Sequence, residues 1–269
     1  MKVLSGPIGV FDSGVGGLTV LAALRARLPR EEFLYLGDTA RLPYGSKSAQ
    51  TVERYSLQCA RRLLERGIRA LVIACNTASA SALPALRQAF PSLPVFGVIE
   101  PGAMAAVRAT RSAHVAVIAT PATVAGRAYE QAIAQLDARV RVQALACGLF
   151  VSLAEEGWTD GPEAQAVARR YLAPLFAADD SPDVLVLGCT HFPLLLPVIR
   201  RVVPARVAIV DSAATTAELV SNRLPREGGE AGTGRVRWLA TDGAGRFADI
   251  GSRFLGEPID AAEVEVVDL

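Results

Sequence analysis

Lysine is nearly missing from this chain. It occurs only at Lys2 and Lys47, so almost all of the 28 basic residues are arginines, and they are scattered. That pattern reads as base-composition bias, not as a binding surface. The 27 acidic residues bring the formal net charge to +1, which removes the electrostatic case for nucleic acid or an anionic membrane as a partner. Long apolar runs are also missing. None reaches the ~18–20 residues a membrane helix needs. No N-terminal stretch combines a basic region, an apolar segment and a cleavage site, since Asp12 interrupts the candidate. The four cysteines, Cys59, Cys75, Cys147 and Cys189, lack the C-x-x-C spacing of a metal site. A chain of 269 residues can bury a core that needs no disulfide staples. A reduced, cytoplasmic location is therefore expected, with no metal. A composition of 51% hydrophobic and 20% charged residues is that of a folded α/β protein.

Apolar strand candidates alternate with helical patterns along the whole chain. Strands are predicted at 7–11, 33–37, 70–74, 95–98, 114–119, 140–146, 183–188, 207–210 and 236–240. Helical segments fall between them, among them 15–28, 48–66, 122–136 and 163–173. In the last, Ala164, Val167, Ala168, Tyr171 and Leu172 share one face, and Pro174 should end the helix. Such alternation predicts an α/β fold with mostly parallel sheets flanked by helices. The run 228–234 is the most loop-like stretch.

Two cysteines sit in matching contexts. Leu71-Val-Ile-Ala-Cys75-Asn-Thr77 and Leu185-Val-Leu-Gly-Cys189-Thr-His191 each follow a buried-type strand and precede a helix-like segment. The repeat extends upstream, because Ile8-Gly-Val-Phe-Asp-Ser13 can be laid on Val115-Ala-Val-Ile-Ala-Thr120. From Asp12 to Cys75 is 63 residues, and from Ala119 to Cys189 is 70. The similar spacing points to two similar α/β domains with an active site in the cleft between them. Residues 1–99 plus 211–269 would form the first, its C-terminal tail returning to pack on it, and 100–210 the second.

Other motifs cluster at the same ends of strands. Asp12-Ser-Gly-Val-Gly-Gly17 opens a helix whose free N–H groups suit an anion. It is neither the G-x-G-x-x-G fingerprint nor a P-loop. Taken alone, it is more often a capped helix start with packing glycines. Asp38-Thr-Ala-Arg-Leu-Pro-Tyr-Gly-Ser46 reads as a turn-rich loop, functional or an ordinary connection in which Tyr44 packs and Asp38 caps. Asn76, Thr77 and Thr190 add donors beside the two cysteines, and His191 can exchange protons with Cys189. A lone buried cysteine is usually inert. Cys59, in a helical pattern, and Cys147, with few polar neighbours, are read as structural, as is His114 at the start of an apolar strand.

Two thiols facing one carbon from opposite sides can invert it without a cofactor: a thiolate removes the proton, and a thiol returns one on the other face. Such a base needs its thiol lowered towards neutrality, and the site must hold the developing negative charge.

Val10-Phe-Asp-Ser-Gly-Val-Gly-Gly17, Gly37-Asp-Thr-Ala-Arg-Leu-Pro-Tyr-Gly45, Ala74-Cys-Asn-Thr-Ala78 and Leu187-Gly-Cys-Thr-His-Phe-Pro193 together resemble the glutamate racemases, over residues 8 to about 222. The resemblance implies cofactor-free interconversion of L- and D-glutamate, supplying D-glutamate for the bacterial cell wall. By the same resemblance, Cys189 would take the α-proton of L-glutamate and Cys75 that of D-glutamate. Asp12 would assist Cys75, and His191 would assist Cys189. Ser13, Tyr44, Gly45, Asn76, Thr77 and Thr190 would hold the substrate together with Asp12 and His191, and Thr120 and Thr123 would add contacts. Glu155 matches an acidic residue on the second cysteine's side, although Gly148 and Ser152 stand where the family typically has prolines. Glutamate is thus the expected partner; a homodimer is compatible with the sequence, which does not fix the oligomeric state. Rival readings are a two-cysteine aspartate racemase, a thiol hydrolase using Cys189 and His191, and a non-catalytic small-molecule binding protein.

Overall fold

The computed structural model describes residues 6–224 and 233–269. Its first half runs β1 (Ile8–Asp12), α1 (Leu18–Arg27), β2 (Phe33–Gly37), α2 (Ala49–Glu65), β3 (Ala70–Ile73), α3 (Asn76–Ala89), β4 (Val95–Gly97) and α4 (Ile99–Ala109). The second runs β5 (His114–Ala119), α5 (Pro121–Ala125), α6 (Ala128–Leu136), β6 (Arg141–Ala146), α7 (Leu149–Glu155), α8 (Gly161–Leu172), β7 (Val184–Gly188), α9 (Leu196–Val202) and β8 (Ala208–Asp211). Then come α10 (Ser212–Arg223), β9 (Val236–Ala240), α11 (Ala244–Leu255) and β10 (Val264–Val266).

Two sheets result, and every pairing in them is parallel. The first has the order β10-β9-β2-β1-β3-β4 and the second β6-β5-β7-β8. The stretch β2-β1-β3-β4 therefore repeats as β6-β5-β7-β8, the order expected of an internal duplication. β1, β2, β3, β5 and β7 are buried at every residue, as strands covered by helices on both faces must be. The edge strand β6 is not.

All nine predicted strands form, within a residue or so of their expected ends. The short β10 carried too little signal, since only Val264 of its three residues is buried. The single helix expected over 122–136 is two, α5 and α6, separated at Gly126 and Arg127, where Arg127 takes φ +51°. α8 stops at Leu172 and gives way to a 3-10 turn carrying Pro174, because proline lacks the N–H that the next α-helical turn requires. Residues 228–232 of the loop-like run lie outside the described residues. Among the described residues no helix is long and apolar enough to cross a membrane.

The C-terminal tail joins the first sheet through β9, which pairs with β2. α11 then lays Phe247 into a triangle with Tyr35 and Trp238, at ring-centroid distances of 5.9 and 6.4 Å. Phe247 is 1% exposed. Phe247→Ala should cost about 3–5 kcal/mol of stability, the usual range for a buried aromatic truncated in a core, measurable as a lower midpoint in urea unfolding. A loss below 1 kcal/mol would mean that the tail is not anchored there.

Candidate active site

The carboxyl ends of both sheets converge on one cavity of about 240 Å³. Ser13, Tyr44, Gly45, Cys75, Asn76, Thr77, Thr120, Glu155, Cys189, Thr190 and His191 all line it. Asp12 and Thr123 stand one layer behind. Sequence reasoning gave no substrate role to Gly14, Leu42, Pro43, Ser46, Pro121, Gly148, Val151 and Ser152, which complete the wall. Gly14, Leu42, Pro43 and Ser46 lie inside motifs already singled out, so their neighbourhood was readable though their role was not.

Cys75 ends the turn after β3 and is the N-cap of α3, its sulfur accepting from Ala78 N at 3.4 Å. A sulfur at a helix start faces the positive end of the macrodipole. Its thiol also points at Ser13 Oγ, 3.7 Å away. Burial, with the carboxylate of Asp12 nearby, outweighs these contacts and pushes the thiol up to about 12. In the unliganded site Cys75 is therefore a neutral thiol.

Asp12 ends β1 and is fully buried. Its Oδ2 accepts from Gly14 N at 2.9 Å, while Oδ1 has no partner among the described residues. Burial raises its carboxyl above the usual range, opposed by the charge of His191. Asn76 Nδ2 is likewise buried and unpartnered. One free acceptor and one free donor thus remain beside Cys75, and native structures seldom leave such groups without a use.

Cys189 follows β7, with His191 Nδ1 3.8 Å from its sulfur and 3.3 Å from Thr190 Oγ1. The other ring nitrogen lies 3.2 Å from Glu155 Oε1 at the end of α7. Burial alone would depress the imidazole. Its hydrogen bonds to Cys189 and Glu155, together with the negative field of Asp12, raise it to about 10. Glu155 is held below its ordinary value, chiefly by His191. α7 forms despite Gly148 and Ser152; Gly148 has φ −58°, the value a proline would fix.

Thr77, Thr120 and Thr123 form a hydroxyl triangle with sides of 2.9, 3.1 and 2.9 Å, linking α3 to the start of α5. Gly45 abuts Thr120, to which a Cβ at Gly45 would come within 3.0 Å. Tyr44 lines the cavity, but its hydroxyl is committed to Asp38. Asp38 is a fully buried hub, not a cap. It binds Arg41 at 2.7 Å and Thr241 at 2.9 Å, and so ties the 38–46 loop to the tail. Cys59 sits against this hub, fully buried and held up by desolvation. Cys147 is buried, pushed up to about 12. His114 Nδ1 lies 2.7 Å from Asp180 O, outside the site.

Residues 18–220 match the model of the Asp/Glu/Hydantoin racemase family. The chain belongs to this family. A glutamate racemase of Geobacter metallireducens is 51% identical over 93% of this chain and 92% of its own length. Among solved structures, the glutamate racemase of Thermus thermophilus superposes with a TM-score of 0.88 at 47% identity, covering 100% of this chain and 99% of that one. The Francisella tularensis glutamate racemase, solved with D-glutamate, gives 0.87 at 34% identity, covering 97% of each chain. An aspartate racemase of Picrophilus torridus reaches only 0.54 at 16% identity and shares the fold alone.

In this racemase-family site the charge on His191 depends on Glu155. With only two histidines in the chain, the His191 ring is readily followed by NMR. It should titrate near pH 10 and shift to lower pH in Glu155→Gln, because the substitution removes a carboxylate that favours the imidazolium. The sign extends to stability. A folded value above the unfolded one means that this contribution is complete below ordinary histidine values and fades as pH rises towards 10. An unchanged His191 titration in Glu155→Gln would refute the coupling.

Proposed function

We propose that this protein interconverts L- and D-glutamate by cofactor-free proton transfer between two cysteines. The observation that carries the proposal is the pair of sulfurs, Cys75 and Cys189, lining one cavity from the corresponding strand ends of two like sheets. Relatives named glutamate racemase, at 44–51% identity over nearly their whole length, support glutamate over aspartate.

The substrate ammonium is assigned to Asp12 Oδ1, the unpaired acceptor, and a carboxylate to Asn76 Nδ2, the unpaired donor. Ser13, Thr77, Thr120 and Thr190 supply hydroxyls, with Thr123 behind them. Gly45 and Tyr44 close the wall. In the L-to-D direction Cys189 takes the α-proton. The electron pair left on the α-carbon delocalises into the carboxylate, held by Asn76 and the helix starts. Cys75, neutral at rest, delivers its proton to the opposite face. His191 and Glu155 set the charge around Cys189 while it holds the extra proton. In the reverse direction Cys75 must become the base. The Asp12 carboxylate is one cause that holds its thiol up, so an ammonium bound to Asp12 removes that obstacle. Substrate binding therefore prepares its own base.

The two sheets with their helices are proposed as the two domains, 1–99 plus 211–269 and 100–210, closing on substrate. D-glutamate formed in the cytoplasm would serve cell-wall peptidoglycan.

Purified protein incubated with either glutamate enantiomer in D2O should lose optical activity and gain α-deuterium, while Cys75→Ala and Cys189→Ala should each abolish inversion. Full racemisation by either single variant would defeat the two-base mechanism. A thiol hydrolase would instead keep its turnover in Cys75→Ala, and preferential turnover of aspartate would reassign the substrate.

A further inference from the structure

Resting on that functional reading, a further residue can be assigned. We infer that Tyr129 is a positioning residue for this site, its hydroxyl fixing the Asn76 carboxamide so that the NH2 group is the one offered to substrate. Tyr129 lies on α6, six residues after Thr123 and far in sequence from both cysteine motifs. Its hydroxyl donates to Asn76 Oδ1 at 2.8 Å, and the two residues are 1% and 2% exposed. Asn76 directly follows Cys75, lines the cavity, and keeps Nδ2 unpartnered. With Oδ1 engaged by Tyr129, the group left without a partner is the NH2 donor.

A carboxamide is nearly symmetric in shape but opposite in polarity at its two ends. Flipped, Asn76 would present an acceptor to a carboxylate, the wrong sign for binding it and for stabilising charge that develops on it. The orientation with Oδ1 on the Tyr129 hydroxyl is the one that leaves the NH2 group free. The Tyr129 ring cannot easily move away. A Cβ at Gly102 would meet it at 3.3 Å, and one at Gly188, next to Cys189, at 2.9 Å. The ring is thus wedged beside the second cysteine while its hydroxyl holds the neighbour of the first. Desolvation also raises the phenol above its ordinary range, which keeps the hydroxyl a donor at all working pH.

Tyr129→Phe keeps the ring and removes only the hydroxyl. The test is a double-mutant cycle of wild type, Tyr129→Phe, Asn76→Ala and the double variant. It is read both as kcat and KM for each enantiomer and as the dissociation constant for D-glutamate by calorimetry. Tyr129→Phe should weaken binding of both enantiomers roughly tenfold, the scale of a hydrogen bond to a charged group. In the Asn76→Ala background the same change should cost less than about twofold, since the amide it acts through is gone. Unaltered constants in Tyr129→Phe, or an equal loss in both backgrounds, would overturn the assignment, and the equal loss would mark a purely structural role. If the binding cycle behaves as expected but the wild type inverts neither enantiomer, the racemase reading falls and the assignment of Tyr129 stands. Should Tyr129→Phe fail to fold, the wild type decides. Its Asn76 side-chain NH2 resonances must shift when D-glutamate is added, and unmoved resonances would overturn the proposal.

Discussion

The site exists because the turn after β1 can press against the turn after β7. A single missing Cβ permits it: one added at Gly16 would lie 2.4 Å from Thr190 Oγ1 and 2.5 Å from the His191 ring. Thr19 then ties the contact by donating to the Thr190 carbonyl at 3.0 Å. Gly17 plays the corresponding part within the first half, where a Cβ would collide with those of Asp12 and Ala74. The glycine motif is thus a device for close approach between helix start, strand ends and the opposite half. Without that approach Asp12 would not share a field with His191, and the two sulfurs would not share a cavity.

The shared cavity is built twice over from one plan but charged differently on its two sides. Cys75 has a carboxylate beside it and is a resting acid. Cys189 has a cationic imidazole beside it, held by Glu155. A reversible inversion needs one proton donor and one acceptor at any instant, and identical environments would leave both thiols in the same state. The asymmetry thus lies in the fixed groups around the two sulfurs, a carboxylate on one side and an imidazole on the other.

Much of this was legible in the sequence, for identifiable reasons. Most strands are apolar runs bounded by turn residues, so nine could be placed, those buried on both faces most plainly, and the matching contexts of Cys75 and Cys189 betrayed the repeat. Pattern failed where the deciding contact is remote or small. β10 has three residues. The break at Gly126 and Arg127 is a local left-handed turn inside an otherwise continuous helical pattern. The hydroxyl of Tyr44 turns to Asp38, a carboxylate whose place is also set by Arg41 within the loop and by Thr241 from the distant tail. Tyr129 had no signal in one dimension, being one more tyrosine on an amphipathic helix.

Some of the electrostatic asymmetry can be traced to the part of the chain that has no duplicate. The second sheet ends at β8, whereas the first is extended by β9 and β10 from the tail. Between those two strands runs α11, which crosses to the second cysteine's side. Arg246 lies 3.7 Å from Glu155 Oε2, Arg253 donates to the Glu155 carbonyl at 2.9 Å, and the Phe254 ring packs edge-on against His191 at 5.0 Å. These contacts hold the Glu155 carboxylate, the Glu155 main chain and the His191 imidazole on the Cys189 side. The helices that reach the neighbours of Cys75 from the second half, α5 and α6, bring only the neutral hydroxyls of Thr123 and Tyr129. The repeated order of strands places the two thiols alike. Asp12 where the second half has Ala119, His191 where the first has Thr77, and the contacts of α11 with Glu155 and His191 make their surroundings differ.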